Sequence, residues 1–256
     1  MIDWNLARLC AELSEESYYG LEKFKKFLFK RVIIHTKLKF FDQDGAQAYG
    51  IETPDYIFVV FRGTQPTEFS DIIADIKAWP RDSDTVGHVH SGFKGELDKI
   101  HDPIVKWLGG TNKQLVICGH SLGAAMATLF ASRMHLMGID LQLYTYGSPR
   151  VGCRVWAKQF KTIKAYRFQN TNDIICAVPP FGYYKHIGQL YYLTYSGKII
   201  TGFKWYQRTY DKLRGRIRAL AKREVFSGLY DHIGFRYIDK ISNKKLKETK
   251  LLTSYF

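Results

Sequence analysis

Apolar residues at Ile2, Leu6, Leu9 and Leu13 recur at helical spacing, so the pattern predicts an amphipathic helix over 2–13. A second short helix, mixing basic and aromatic residues, is expected over 21–31. From Val32 to Ile51 the pattern alternates loosely around Asp42-Gln43-Asp44-Gly45, a turn-forming group, and predicts a hairpin. Tyr56–Phe61 reads YIFVVF, an unbroken apolar run that fits a strand buried on both faces. Helical spacing then returns over Ser70–Trp79, fenced by Pro66 and Pro80. It returns again over Gly92–Leu108, where Pro103 must kink the helix or divide it. Leu115–Cys118 reads as a strand, the run to about Gly138 as a helix, and Leu141–Tyr146 and Ile163–Gln169 as further strands. Strands alternating with helices predict an α/β fold with a mostly parallel central sheet flanked by helices. No repeat or linker divides the chain, so one domain is expected over 1–256, with a basic tail from about 241.

Between the strand Leu115–Cys118 and its helix lies Gly119-His120-Ser121-Leu122-Gly123. A serine on a tight strand-to-helix turn needs small residues two positions before and after it, because the turn packs against its neighbours. The helix N-terminus aims its N–H groups at whatever binds there. Ser121 is therefore the candidate nucleophile. A serine hydroxyl needs a base, and the base needs an orienting acid, both beyond the carboxyl ends of the sheet strands. His186 and His232 follow Ser121 far enough along to leave room for an acid between them. The acids in that interval sort by position. Asp140 begins a strand and so sits on the opposite rim. Asp211 and Glu224 fall in a basic helical segment and read as surface partners. Asp231 adjoins His232, and sequence neighbours rarely face each other. Asp173, just past the strand AYRFQN, is the candidate acid. His232, in the loop SGLYDHIGF, is the candidate base, and His186 reads as a structural hydrogen-bonding histidine. The other histidines are expected to be ordinary surface or loop residues. Oxyanion donors are expected at the Leu122 N–H and at Thr64, which follows the strand end through Arg62-Gly63; an ordinary loop threonine would look the same.

Composition narrows the partners. The 256 residues carry a formal net charge of +14. That favours anionic partners without choosing among them. Phe203, Tyr206, Tyr210, Leu213, Ile217 and Leu220 repeat at spacings of three and four among many lysines and arginines. This basic amphipathic segment, 203–223, fits an anionic membrane surface, or equally a solvated basic face over a core-packed apolar one. Zinc-finger ligands and RNP-type aromatic motifs are lacking, so nucleic acid is not expected as a partner. Cys10, Cys118, Cys153 and Cys176 have no metal-ligand spacing and read as buried thiols. No secretory signal or membrane-spanning run is seen, which predicts a cytoplasmic protein, peripheral to membranes where the basic segment meets them. No cofactor is called for.

The motifs taken in order resemble the class 3 lipases, the family of filamentous-fungal triacylglycerol lipases and their plant and microbial relatives. They are Phe61-Arg62-Gly63-Thr64, His90-Ser91-Gly92-Phe93, Gly119-His120-Ser121-Leu122-Gly123 and Tyr146-Gly147-Ser148-Pro149-Arg150-Val151-Gly152, then Asn172-Asp173-Ile174 with a following proline pair, His186-Ile187-Gly188 and Asp231-His232. The resemblance implies an α/β-hydrolase-like fold, a Ser121, Asp173, His232 triad, oxyanion donors at Thr64 and Leu122, and hydrolysis of acyl-lipid esters. It also implies a lid helix directly after the oxyanion residue. The apolar face Phe69, Ile72, Ile73, Ile76 and Trp79 suits either a mobile lid or a fixed covering helix. A phospholipase A1-type or other acyl esterase is the alternative activity, and a non-catalytic lipid-binding protein the remaining one.

Overall fold

A computed structural model describes residues 2–31, 37–63, 79–180, 182–221 and 227–253, the side chains of 219–221, 227 and 244–253 excepted. Helices α1 (Trp4–Glu16) and α2 (Leu21–Lys30) open the chain. Asp3 caps α1, its carboxylate accepting the N–H groups of Asn5 and Leu6 at 2.8 and 3.1 Å. Strands β1 (Lys37–Gln43) and β2 (Ala46–Glu52) form the expected hairpin, with both turn residues, Asp44 and Gly45, at positive φ. Then come β3 (Tyr56–Phe61), the short β4 (Pro80–Asp82) and β5 (His88–His90), α3 (Ser91–Leu108), β6 (Gln114–His120) and α4 (Leu122–Leu136). β7 (Leu141–Tyr146), β8 (Gly152–Cys153), α5 (Arg154–Lys158), β9 (Lys164–Asn170), β10 (Tyr184–Lys185), β11 (Gln189–Leu193) and β12 (Ile199–Ile200) follow. The chain ends in α6 (Trp205–Ala221), α7 (Ser227–Tyr230) and α8 (Gly234–Thr253).

Among the described residues one sheet has eight strands in the order β1-β2-β3-β6-β7-β9-β11-β12. Its middle, β3 through β11, is parallel, and its margins are antiparallel. A second sheet, β10-β8-β5-β4, is small and antiparallel. The run YIFVVF shows why the middle strands need no polar positions. Ile57, Val59 and Phe61 point into a core shared with α3 and α4, while Phe58 and Val60 point into one shared with α1 and α8. Because the middle strands are parallel, Phe61, His120, Tyr146 and Asn170 all arrive at the same rim.

Of the two outcomes expected at Pro103 the division does not occur, and the expectation for the C-terminal segment changes. Helix α3 runs undivided through Pro103. The proline sits on the exposed side of the helix, while Ile100 and Ile104 stay buried. The basic C-terminal segment from about 241 is not a loose tail, since α8 continues to Thr253. The hairpin's start at Val32 and the helix read over Ser70–Trp79 lie largely or wholly outside the described residues. Among the described residues no helix is long and apolar enough to cross a membrane.

Candidate active site

The backbone at Ser121 explains its two glycines. Ser121 has φ 58° and ψ −127°, one of two non-glycine residues with positive φ among those described. It is held in this costly conformation between the end of β6 and the start of α4. A Cβ on Gly119 would lie 2.4 Å from the Gly123 carbonyl oxygen, and one on Gly123 2.2 Å from the Phe61 carbonyl oxygen. Neither contact can be relieved without moving backbone, so any side chain at these positions would open the turn. The Ser121 hydroxyl is buried and makes no hydrogen bond among the described residues. Leu122 opens α4, so its N–H has no partner within the helix and points out at the helix N-terminus.

Asp173 and His232 meet beside this turn. His232 Nδ1 lies 2.9 Å from Asp173 Oδ2, and both side chains are fully buried. A carboxylate only accepts, so Nδ1 carries the proton and Nε2 is left as the ring's acceptor. The carboxylate has further donors: the Ile175 N–H reaches Oδ1 at 2.9 Å, and the Tyr237 hydroxyl donates to Oδ2. Burial works to raise the Asp173 pKa, but the electrostatic pull of the His232 ring and the hydrogen bonds from His232 and Tyr237 prevail and hold it below the usual range. The two loops are tied together as well. Asn170 Nδ2 donates to the Asp231 carbonyl at 2.8 Å, and the Asn172 N–H donates to the Asp231 carboxylate at 3.2 Å. Asp231 therefore braces the acid's loop and does not face its neighbour's ring, as expected. Asp140, exposed and paired with Lys164 at the start of β9, stands on the opposite rim.

Four side chains and one glycine in and around this site were not singled out by the sequence. His120 is not an ordinary surface or loop residue. Its Nε2 donates to the His232 carbonyl at 2.6 Å, its Nδ1 accepts from the Tyr18 hydroxyl at 2.9 Å, and its ring lies 4.5 Å from that of His232. Burial, reinforced by the nearby His232, pushes its pKa down to about 3, so it stays neutral. His90 departs too. It is buried and caps α3, its Nδ1 accepting the Phe93 N–H at 3.4 Å. Tyr18 and Tyr237 carry no motif in the sequence, and only their buried hydroxyls, one on His120 and one on Asp173, reveal their place here. Gly147, at φ 60°, makes room for the pair: a Cβ there would sit 2.7 Å from His232 Cε1 and 2.9 Å from Asp173 Oδ2. The only signal for it was the Tyr146–Gly152 motif, read as structural.

Other candidates are placed as follows. Thr64 lies outside the described residues, but the chain leading to it runs beside the serine turn, where a Cβ on Gly63 would meet the His120 carbonyl oxygen at 2.7 Å. His186 donates through Nε2 to the Cys176 carbonyl at 3.1 Å, the structural role expected of it. Asp211 is not a surface partner. It is buried, accepts the Tyr195 N–H at 3.2 Å, and burial raises its pKa. Glu224 lies outside the described residues. All four cysteines are free and buried.

A mostly parallel sheet, a serine on a strained strand-to-helix turn, and a buried carboxylate–imidazole pair on the same rim together define an α/β-hydrolase fold. Residues 58–183 match the family described as Lipase (class 3). The chain is 37% identical over 111 residues to the secreted mono- and diacylglycerol lipase A of Penicillium cyclopium, covering 40% of this chain and 36% of that protein. It is 31% identical over 153 residues to a lipase of Rhizomucor miehei, covering 54% and 42% of the two chains. The match thus spans well under half the length of these relatives. Among solved structures, a triacylglycerol lipase whose catalytic centre is a serine-protease triad superposes with a TM-score of 0.65, at 24% identity, over 77% of this chain and 83% of that one. At that identity the likeness establishes the fold alone.

Proposed function

We propose that this chain is a serine hydrolase of carboxylic esters in acyl lipids, with Ser121 as nucleophile, His232 as base and Asp173 as orienting acid. The observation that carries the reading is the buried Asp173–His232 pair, its tautomer fixed, beside a serine held at positive φ. Ser121 Oγ attacks the ester carbonyl carbon while His232 Nε2 takes its proton. The charge that develops on the carbonyl oxygen is held by the Leu122 N–H and by Thr64. As the tetrahedral centre collapses, the C–O bond to the alcohol breaks and His232 returns the proton to the leaving oxygen. Water, deprotonated by the same ring, then splits the acyl-enzyme and restores Ser121. Asp173, held ionised, stabilises the imidazolium that forms in each half.

Acylglycerols are the substrates the relatives' names suggest. A phospholipase A1-type activity is the second reading, favoured by the chain's net charge of +14. An anionic membrane met through the basic segment 203–223 is the partner that goes with either, and free thiols at all four cysteines fit a reducing, cytoplasmic setting. The test is hydrolysis of p-nitrophenyl esters with acyl chains from short to long, for wild type and Ser121→Ala, with and without anionic vesicles. Turnover that disappears with Ser121, by about 10,000-fold or more, supports the reading. Turnover that survives the substitution, or no turnover on any ester, overturns it.

A further inference from the structure

Helix α6 is built inside out. Arg208, Asp211, Lys212 and Gly215 form the stripe turned to the protein, with Asp211 buried and the others half-buried. A Cβ on Gly215 would meet Asn172 Nδ2 at 2.9 Å and Thr171 Cγ2 at 3.2 Å, so this stripe lies directly on the loop that carries Asp173. The opposite stripe, at spacings of four, three and four, is Tyr206, Tyr210, Leu213 and Ile217, exposed by 50–62%, with Trp205 at its edge exposed by 73%. At 100° per residue, Arg214 and Arg216 fall on either side of that stripe. The Arg214 guanidinium lies 5.5 Å from the Tyr210 ring centre. The core-packed alternative is thereby excluded, because the apolar face is the one that meets solvent. At the rim of the candidate site Ile174, Tyr230 and Phe235, next to or near Asp173 and His232, are also exposed.

Resting on the ester-hydrolase reading of the site, we propose that α6 seats the rim bearing Ser121, Asp173 and His232 on an anionic lipid bilayer, so that the ester enters from the membrane itself. Charge and shape both point to that occupant. Residues 204–218 hold six lysines and arginines against one acid, and that acid is turned inward. Tyrosine and tryptophan beside an aliphatic stripe match the headgroup boundary, with arginines flanking them in the plane of the phosphates. A nucleic acid would satisfy the arginines but offers no apolar phase to Leu213 and Ile217.

The experiment is co-sedimentation of the Ser121→Ala protein with phosphatidylcholine vesicles, with and without phosphatidylserine. Two further forms are compared, one carrying Arg214→Glu with Arg216→Glu, the other Leu213→Ser with Ile217→Ser. All four positions are exposed, so both forms are expected to keep the parent's circular dichroism. The parent should prefer the anionic vesicles. The arginine pair, a change of four charges, should lower that affinity about 600-fold, at about fivefold per charge. The aliphatic pair should lower it about tenfold at unchanged charge. A parent that ignores vesicles, or variants that bind as the parent does, would overturn the proposal. So would an aliphatic-pair variant that still binds as the parent does while duplex DNA displaces every form from the vesicles. Ester hydrolysis in solution is read separately. If it is absent in the wild type, the enzymatic reading fails and the docking result stands on its own.

Discussion

Helices α4 and α6 have similar lengths, 15 and 17 residues, and both stand at the rim of the candidate site, yet they solve opposite problems. Helix α4 is apolar nearly all round and is buried between the sheet and α3, with Leu129, Phe130 and Met134 inside. Helix α6 is strongly amphipathic and keeps its apolar side in solvent. The difference follows from what each helix lands on. A sheet face offers only side chains, its backbone being already paired, so α4 needs no polar residue towards it. A loop offers unpaired backbone, so the helix lying on it must bring polar groups inward, as Asp211 does for the Tyr195 N–H. Amphipathicity states that a helix has two faces. The element beneath it decides which face is hidden.

The comparison is tested most strongly by matched truncations. Leu129→Ala in α4 should cost about 2–5 kcal/mol of stability. Leu213→Ala in α6 should stay within about 0.5 kcal/mol. Denaturant titration of both reads the contrast directly, and equal costs would break it. The next effect sits beside α4 at the catalytic pair. Gly147→Ala pushes a methyl into His232 and should lower kcat/KM about 100-fold, since misplacement by about 1 Å costs that much. Activity retained there would mean that the pair is not poised as described. Tyr237→Phe removes a donor from the Asp173 carboxylate, so its pKa rises and the acid limb of the kcat/KM profile moves to higher pH. A profile unmoved in shape would show that Tyr237 is packing alone.

A further test is the pH dependence of stability. His120 ordinarily titrates near 6.5 but stays neutral in the fold down to about 3. Below pH 6.5 the unfolded chain therefore binds a proton that the folded chain refuses, and stability falls as pH drops from 6.5 towards 3. The Asp173 contribution, present above its unfolded value, is lost only at lower pH, as its depressed folded pKa is approached. The thermal midpoint should decline over the first interval, and His120→Gln should flatten that decline.

Much of this was legible in the chain. Strand runs such as YIFVVF declare their burial, the paired glycines declare the Ser121 turn, and Asp173 follows from the rim on which its strand must end. What was not legible depends on distant chain meeting at one place. His120 acquires its role only because Tyr18, 102 residues earlier, and the His232 carbonyl, 112 residues later, converge on its ring. Tyr237 looks like a core residue and is one, apart from a hydroxyl aimed at Asp173. Asp211 reads as exposed because its neighbours are basic, and nothing local announces the Tyr195 N–H that it covers.

The proposed chemistry requires Ser121 to be an activated nucleophile. Treatment with a fluorophosphonate probe, whose phosphorus takes the serine oxygen as fluoride leaves, tests it at the atom concerned. A single label is expected, found on Ser121 by peptide mass spectrometry, abolished by Ser121→Ala and slowed strongly by Asp173→Asn. No label on the folded wild type, or labelling that persists undiminished in Ser121→Ala, would contradict it.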